Sequence, residues 1–365
     1  MIRTIGFPGR YIQGPGAVQT LPALLNELAA SRPVVLMDDI VKASVGELLL
    51  APLAGAGFKV MELRFGGECT SEAIEQLAAQ FKPGQADLVI GYGGGKTIDA
   101  AKGIARAHNL RLLIVPTIAS NDSPTSRLIV LYDEQHRVAR VDRLIRNPDV
   151  VLVDTAIIAR APARFFAAGL GDALSKKFEA TQCHQAGGLN FFGTPSLATA
   201  RLLAERCYDT IIEFGLPALK QIQQHGTPDD NVERAVEASV LLSGLGFESG
   251  GLSLSHALTR GFSDHPAMST FLHGELVAFG SIVQLVAENR AEAEVQAHIA
   301  FCHSLGLPVT LAQLGASKAT AIEVLRIATL TAAAPYIGNL SPPADAARIA
   351  HCISTADALG RARLS

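Results

Sequence analysis

Glycines cluster at Gly91–Thr97, where the sequence reads GYGGGKT between an apolar run and the helix-like stretch IDAAKGIARA. Glycines let a backbone approach an anion closely, and the free N–H groups and positive end of the following helix attract phosphate. Two common phosphate motifs each fail by one residue, because Ile90 and Lys96 stand where those motifs need glycine. The stretch predicts a phosphate site of neither type, or a turn needed only for strand–helix packing.

An acidic pair follows the first apolar run, in VVLMDD. A carboxylate at the end of such a strand can accept hydrogen bonds from a ribose hydroxyl, and it repels a 2′-phosphate. Asp38 is the better candidate, and Asp39 is the next. The simpler interpretation is that Asp38 caps a helix.

Small polar residues fill the loop PTIASNDSPTS, which follows another apolar run. Thr117, Ser120, Asp122 and Ser126 offer groups that bind a hydroxylated ligand. The same composition also fits an ordinary turn-rich loop.

Three residues farther along the chain are of the types that bind a divalent metal: Asp172, His256 and His273. One carboxylate and two imidazoles leave a coordination position open for a substrate oxygen. Their spacing is long and forms no HExxH-like signature. The alternatives are hydrogen-bonded histidines and a helix that opens at Asp172 with this residue as its N-cap. His265, on a predicted loop, is a weaker candidate.

The elements that must position these residues alternate in the first half of the chain. Short apolar runs rich in branched residues predict strands, and the segments between them, such as 71–80 and 96–107, predict helices. This alternation indicates a parallel sheet built from βαβ units. The predicted strands are Val34–Met37, Lys59–Leu63, Leu88–Tyr92, Arg111–Pro116 and Val150–Asp154. A β-hairpin is expected between the last two of these, with its tip near Asp133–Gln135.

Helical spacing of apolar residues dominates after Asp154. The sequence therefore predicts an α/β domain over residues 1–158 and a helical domain over 159–365. Ligands of parallel sheets bind beyond the carboxyl ends of the strands, so we expect the site in the cleft between the two domains.

The composition narrows the class of protein. The chain has 365 residues, 48% of them hydrophobic, and a formal charge of −3, which argues against disorder and against nucleic-acid or membrane partners. No apolar run reaches the roughly 18 residues that span a bilayer. The five cysteines are odd in number and scattered along the sequence, which favours a reduced, cytoplasmic setting. They are Cys69, Cys183, Cys207, Cys302 and Cys352.

Five motifs in order, GGGKTIDAAK, PTIASNDSPTS, GLGDAL, GFESGGLSLSHAL and HGELVAFG, resemble the glycerol dehydrogenases. These belong to the metal-dependent (iron-type, group III) alcohol dehydrogenase superfamily, and the likeness runs nearly end to end. The resemblance implies an α/β N-terminal Rossmann-like domain and an all-α C-terminal domain, the dehydroquinate synthase-like fold.

The resemblance also implies roles for individual residues. Zn²⁺ is expected on Asp172, His256 and His273, with Asp122 and His256 as catalytic residues and Phe247 joining them around the substrate. Iron-type members carry a histidine four residues after the metal-binding Asp; Lys176 stands there in this sequence, so a fourth protein ligand is not expected. The residues expected to bind NAD are Asp38, Gly94, Gly95, Lys96, Thr117, Ser120, Ser126, Leu128 and Tyr132.

The activity implied by the resemblance is NAD-dependent oxidation of glycerol and related vicinal diols to dihydroxyacetone and its analogues, in a large homo-oligomer, expected to be an octamer. An NAD(P)H-dependent 2-oxo acid or hydroxycarboxylate dehydrogenase is the alternative; it needs a cationic anchor, for which Arg127 and Lys176 are the nearest candidates. A dehydroquinate-synthase-like cyclase needs basic residues that the motifs lack. An NAD-binding regulator has no need of an open metal site.

Overall fold

The computed structural model describes residues 2–133 and 137–364. Its strands are β1 Tyr11–Gly14, β2 Pro33–Met37, β3 Met61–Arg64, β4 Leu88–Gly93, β5 Arg111–Pro116, β6 Leu128–Tyr132, β7 Val138–Arg143 and β8 Val150–Asp154. Its α-helices are α1 Leu21–Glu27, α2 Asp39–Gly55, α3 Ser71–Ala78, α4 Gly95–His108, α5 Thr155–Arg160, α6 Ala163–Leu174, α7 Lys176–Gln185, α8 Ala198–His225, α9 Asp230–Val236, α10 Ser243–Gly250, α11 Leu254–Asp264, α12 His273–Ala287, α13 Glu292–Ser304, α14 Ala321–Ala332 and α15 Ala346–Leu364. A π-helical stretch, Glu237–Leu242, joins α9 to α10.

The N-terminal half is a six-stranded, wholly parallel sheet in the order β1-β8-β5-β4-β2-β3. Strands β2, β4 and β8 are buried along their whole length, as their continuous apolar sequences predict. At one edge Gly93 of β4 pairs with Pro116 of β5. The loops that follow these two strands, which are the candidate phosphate loop and the polar loop, therefore begin side by side.

One strand of the sheet differs from the sequence prediction, and the predicted hairpin is present. β1 was missed, because its four half-buried residues, YIQG, lack an apolar run and end in glycine; it pairs with β8 at one edge of the sheet. The hairpin is present as the antiparallel pair β6–β7. Of its expected tip, residues 134 and 135 lie outside the described residues.

Helices make up nearly all of the regular structure after β8. The change from sheet to helices falls at Asp154 and Thr155, and the division at residues 158 and 159 stays a prediction. The fold class, a parallel sheet with helices followed by a helical part, is confirmed. Within residues 2–133 and 137–364, no helix is both long and apolar enough to cross a membrane.

Close backbone contacts join the two halves around the loop after β5. A Cβ at Gly169 of α6 would overlap the carbonyl oxygen of Ala119 in that loop. A Cβ at Gly244 of α10 would overlap the hydroxyl of Thr125. Only glycine permits these approaches, so the loop is clamped between sheet and helices.

We expect Gly169→Ala to destabilise the fold by about 1–3 kcal/mol, the usual cost of overpacking, because the obstacle is a backbone carbonyl that cannot rotate away. Chemical denaturation measures the difference. Gly55→Ala is the control, since nothing lies within 4 Å of a Cβ at this helical position. An equal free energy of unfolding for Gly169→Ala and the unmodified chain would contradict the clamp.

Candidate active site and metal centre

The glycine loop forms the start of α4, with Gly94 as N-cap and Gly95 as the first helical residue. A Cβ at Gly93 would lie 2.7 Å from Thr97, and one at Gly95 would lie 2.6 Å from Asn121 Nδ2. The glycines thus serve the tight packing that was the simpler alternative, and they also leave the helix N-terminus bare for an anion.

Lys96 follows these glycines and is half exposed. Its ammonium donates a hydrogen bond to Glu68 Oε2 at 2.8 Å and lies 4.9 Å from the centroid of the Tyr132 ring. Two residues expected to line the cofactor path, Lys96 and Tyr132, are therefore in contact. Glu68, which the sequence reasoning missed, holds the lysine.

Asp38 lies at the carboxyl end of β2 and caps α2, accepting a hydrogen bond from the Val41 N–H at 2.8 Å through Oδ1. Neighbouring Asp39 makes a two-pronged ion pair with Arg64 at the end of β3. The capping interpretation of Asp38 is confirmed. Its role toward a ribose stays a prediction, and it depends on the second carboxylate oxygen.

A buried lysine holds the loop after β5 in place. Lys102 of α4 is fully buried, and its ammonium donates to Asp99 Oδ1 at 3.0 Å and to the carbonyl oxygen of Leu128 at 2.7 Å. It also donates to Ser123 and to the Ser126 hydroxyl, the latter at 3.4 Å. Lys102 therefore holds Ser126 and Leu128 in place, a task that the sequence reasoning missed.

Thr117 and Ser120 lie earlier in the same loop. The Thr117 N–H donates to the carbonyl oxygen of Gly93 at 3.1 Å, which continues the pairing of β4 and β5 by one residue. Thr117 is buried and Ser120 is half-buried. Thr117 therefore stands beside the glycine loop, where a cofactor path is expected, and the place of Ser120 on that path stays a prediction.

The three candidate metal ligands come together from three helices. Asp172 lies in the last turn of α6, His256 in α11, and His273 begins α12. Their ligand atoms all lie within 4.8 Å of one another. Asp172 Oδ1 is 3.2 Å from His256 Nε2 and 4.0 Å from His273 Nε2.

One expectation about these residues is wrong, and one weaker candidate lies away from the cluster. Asp172 does not open a helix, because α6 begins at Ala163 after Pro162, so the N-cap alternative is wrong. His265 stays outside the cluster. It follows α11, accepts a hydrogen bond from the Ala267 N–H and lies 3.9 Å from Glu323.

Glu179, on α7, orients the His256 ring. Its Oε2 is 2.5 Å from His256 Nδ1, and its Oε1 accepts hydrogen bonds from the N–H groups of Ser253 and His256. Burial disfavours a protonated ring, but the Glu179 and Asp172 carboxylates together outweigh it and raise the pKa of His256 to about 9. With Nδ1 committed to Glu179, Nε2 is the nitrogen that faces Asp172. Metal-binding histidines are commonly held in this way.

The donor set fits a divalent metal. Asp172 is fully buried, and its Oδ2 has no hydrogen-bond partner within the described part of the chain. A buried carboxylate oxygen without a partner, beside two imidazole nitrogens, is the arrangement that a metal ion completes. Burial opposes ionisation of this carboxyl, but Lys176 and the two histidines hold its pKa well below the usual range.

Lys176 lies inside the same cluster. Its side chain is fully buried, and Nζ is 2.6 Å from Asp172 Oδ1, 3.1 Å from His256 Nε2 and 3.1 Å from Asp122 Oδ2. Burial disfavours the ammonium, but Asp122 and Asp172 outweigh it and raise the pKa of Lys176. From the sequence, Lys176 was seen only as a missing fourth ligand and a weak anchor. Its approach to both metal-ligand atoms was not foreseen.

Comparisons with known proteins identify the family of the chain. Residues 8–155 match the model of the family described as iron-containing alcohol dehydrogenase. The glycerol dehydrogenase of Thermotoga maritima is 40% identical over 365 residues, covering 100% of this chain and 99% of that protein. The glycerol dehydrogenase of Citrobacter freundii is 40% identical, covering 99% of each chain. The solved glycerol dehydrogenase of Schizosaccharomyces pombe has a TM-score of 0.94 at 33% identity, covering 99% of this chain and 92% of that one.

The chain belongs to the iron-containing alcohol dehydrogenase family. The family resemblance stated from the motifs is confirmed, and so is the prediction that the protein is an enzyme, an oxidoreductase of alcohols or polyols. The family is NAD-dependent and metal-containing.

Phe247, the residue expected to contact the substrate, is buried beside the candidate site. It is buried with Leu128 and Leu252, and its ring makes an edge contact with Phe191 at 5.5 Å between centroids. Lys176 Nζ lies 5.8 Å from the centroid of the same ring. Phe247 therefore borders the metal cluster, and its contact with the substrate stays a prediction.

Arg127, in contrast, is used for structure. Its side chain donates to Glu248 Oε1 at 3.2 Å and to the carbonyl oxygen of Phe191 at 3.0 Å, and its guanidinium stacks on Phe192 at 3.9 Å. This arginine ties the β5–β6 region of the alcohol dehydrogenase to α10. It is not the free cation that a carboxylate anchor needs.

We expect Glu179→Gln to lower both the affinity for divalent metal and kcat/KM for alcohol oxidation by roughly 10- to 100-fold, the usual effect of losing an outer partner of a metal-binding histidine. The amide removes the charge that faces His256 Nδ1. Metal titration and steady-state rates measure the two quantities. Glu205→Gln, an exposed change on α8, is the control. Unchanged metal affinity in Glu179→Gln would refute the positioning role.

Proposed function

We propose that this chain oxidises glycerol and related vicinal diols with NAD, and that Zn²⁺ on Asp172, His256 and His273 assists the reaction. The product from glycerol is dihydroxyacetone. Three observations support the metal centre: the converging donor atoms, the partnerless Asp172 Oδ2 within the described residues and the Glu179 carboxylate behind His256. Relatives of the same length at about 40% identity are glycerol dehydrogenases.

The proposal depends on one observation: two consecutive residues, Asn121 and Asp122, link the glycine loop to the candidate metal ligands. Gly95 packs against Asn121, and the next residue, Asp122, lies 3.1 Å from Lys176 Nζ. Lys176 in turn contacts Asp172 and His256. A dinucleotide whose pyrophosphate sits at the start of α4 therefore has its far end directed along this link toward the candidate ligands.

Each part of the chain has a task in this proposal. The bare N-terminus of α4, at Gly94 and Gly95, holds the pyrophosphate, and Asp38 accepts from the adenosine ribose. The clamped loop from Thr117 to Ser126 and the ring of Tyr132 guide the rest of the cofactor. Orientation of both reactants in one cleft is the main contribution of the protein.

The substrate is held between the metal centre and the Phe247 wall. Asp122 accepts a hydrogen bond from a second hydroxyl, which favours diols over simple alcohols. Glu179 keeps His256 Nε2 directed at Asp172, where the metal would bind. A bound metal would make a hydroxyl more acidic so that its proton can leave to solvent, and NAD would accept the hydride from the carbinol carbon.

The 2-hydroxy acid alternative gains less support. Its two candidate anchors are both engaged, Arg127 by Glu248 and Phe191, and Lys176 by Asp122 and Asp172. A carboxylate would have to displace one of these partners. The alternative therefore remains as an arm of the substrate test.

The substrate test is a steady-state assay with NAD against glycerol, 1,2-propanediol and a set of 2-hydroxy acids. We expect the diols to give the higher kcat/KM. His273→Ala should lower diol oxidation by more than the roughly 10- to 100-fold cost of losing an outer partner, and should lower zinc content with it. His303→Ala, an exposed histidine at the end of α13, serves as control. Full zinc occupancy and full activity in His273→Ala would reject the metal assignment.

Cofactor choice is tested at Asp38. Removing a charge about 4 Å from a 2′-phosphate relieves about 1–4 kcal/mol of repulsion, so the NAD:NADP ratio of kcat/KM should fall at least about fivefold. Asp38→Asn separates this role from capping, because Asn caps helices as well as Asp. Asp38→Gly should show the same fall with a small loss of stability. A ratio unchanged in both variants would leave Asp38 with the cap alone.

A further inference from the structure

Lys176 stands apart from the other site residues because it is a fixed positive charge among the atoms that a metal ion needs. Its side chain is fully buried, as is that of Asp172. Nζ contacts Asp172 Oδ1 at 2.6 Å and His256 Nε2 at 3.1 Å. These are the two closest donor atoms of the candidate centre.

The stereochemistry of His256 makes the conflict specific. An imidazole nitrogen has one lone pair, directed in the plane of the ring. Nδ1 is committed to Glu179, so Nε2 is the nitrogen that can bind a metal. Lys176 Nζ lies 3.1 Å from Nε2, so the ammonium occupies the side of the ring from which a metal ion would have to approach that nitrogen.

The Asp172 carboxylate has one oxygen in contact with Lys176 and one that is open to a metal ion. Oδ1 accepts from Lys176, while Oδ2 lacks a hydrogen-bond partner in the described part of the chain. With the lysine in place, Oδ2 and His273 remain for a metal. Two donors bind a divalent ion less well than three.

Lys176 has another partner within the cluster, Asp122. Because it is fully buried it cannot swing into solvent, but Asp122 Oδ2 lies 3.1 Å from Nζ and already accepts from the Ser243 hydroxyl. Moving wholly onto Asp122 would free His256 Nε2 and Asp172 Oδ1 together.

We propose that Lys176 is a built-in competitor of the metal ion, which enters the centre by displacing the ammonium from Asp172 and His256 onto Asp122. The inference rests on the proposed function only for the identity of the metal ligands. It means that the zinc affinity of this chain is set by Lys176 as well as by the three ligands. It also couples metal binding to Asp122, the residue proposed to select diols.

The test compares zinc affinity, by competition with a chelator, in the unmodified chain, Lys176→Met and Lys177→Met. Lys177 is the matched control, since it is the next residue, one-third exposed, and pairs with Asp209 outside the cluster. We expect Lys176→Met to bind zinc tighter by on the order of 10- to 100-fold, the scale on which neighbours of metal ligands act. Lys177→Met should match the unmodified chain.

Lys176→Arg separates charge from packing, because it keeps the positive charge; it should bind zinc no more tightly than the unmodified chain. If Lys176→Met is too unstable without zinc for the competition assay, the rise in its melting temperature on adding zinc gives the same comparison, since a ligand of the folded state stabilises it. That gain should exceed the gain for the unmodified chain.

Equal or weaker zinc binding in Lys176→Met would overturn the inference. The proposed function fails on a different result, namely absence of diol oxidation with NAD in the unmodified enzyme. If the unmodified chain oxidises diols but Lys176→Met binds zinc no more tightly, only the proposed competition is refuted and the proposed function stands.

Discussion

The site depends on a small group of buried charges that must neutralise one another. Asp172, Glu179 and Lys176 are shielded from water, and Asp122 is nearly so. An unpaired buried charge is costly, and removing one partner of a buried pair typically costs about 3–5 kcal/mol. Asp122 comes from the sheet half of the chain, and the other three come from α6 and α7. The two halves are therefore joined by the same contacts that form the candidate centre, and neither half can move without separating charges.

A second buried lysine extends this constraint to the cofactor side. Lys102 binds Asp99 on its own helix, Ser123 and Ser126 of the loop after β5, and the first residue of β6. Because α4 also begins at the glycine loop, one helix places the phosphate site at its start and secures the polar loop along its side. The π-helical stretch before α10 meets that loop from the other half, where the Thr125 hydroxyl donates to the Val240 carbonyl oxygen. The glycine loop, the polar loop after β5 and the helices that carry the candidate metal ligands are thus connected by direct contacts.

Much of this could be predicted from the sequence, and the reasons are local. The strands β2, β4, β5 and β8 were visible as apolar runs, and GYGGGKT marked the start of α4 because glycine has few other uses between a strand and a helix. Asp38 was rightly suspected of capping a helix. Strand β1 was missed since an edge strand of four half-buried residues carries no periodic signal. Lys96 was assigned to phosphate without its partner Glu68, because the sequence does not show that the two residues meet.

The convergence of Asp172, His256 and His273 could be suspected from residue type, but their spacing along the chain does not predict it, because the contacts of α12 with α6 and with α11 produce it. Each ligand has a neighbour in sequence at a close backbone contact. A Cβ at Gly171 would lie 2.7 Å from the carbonyl oxygen of Gly274, and one at Gly280 would lie 2.7 Å from that of Ser255. The helices α6, α11 and α12 therefore touch beside the residues whose side chains meet. Glycines that appear in the sequence as weak helix formers allow these contacts, so the metal centre follows from backbone proximity, and Lys176, one turn beyond Asp172, is carried into it.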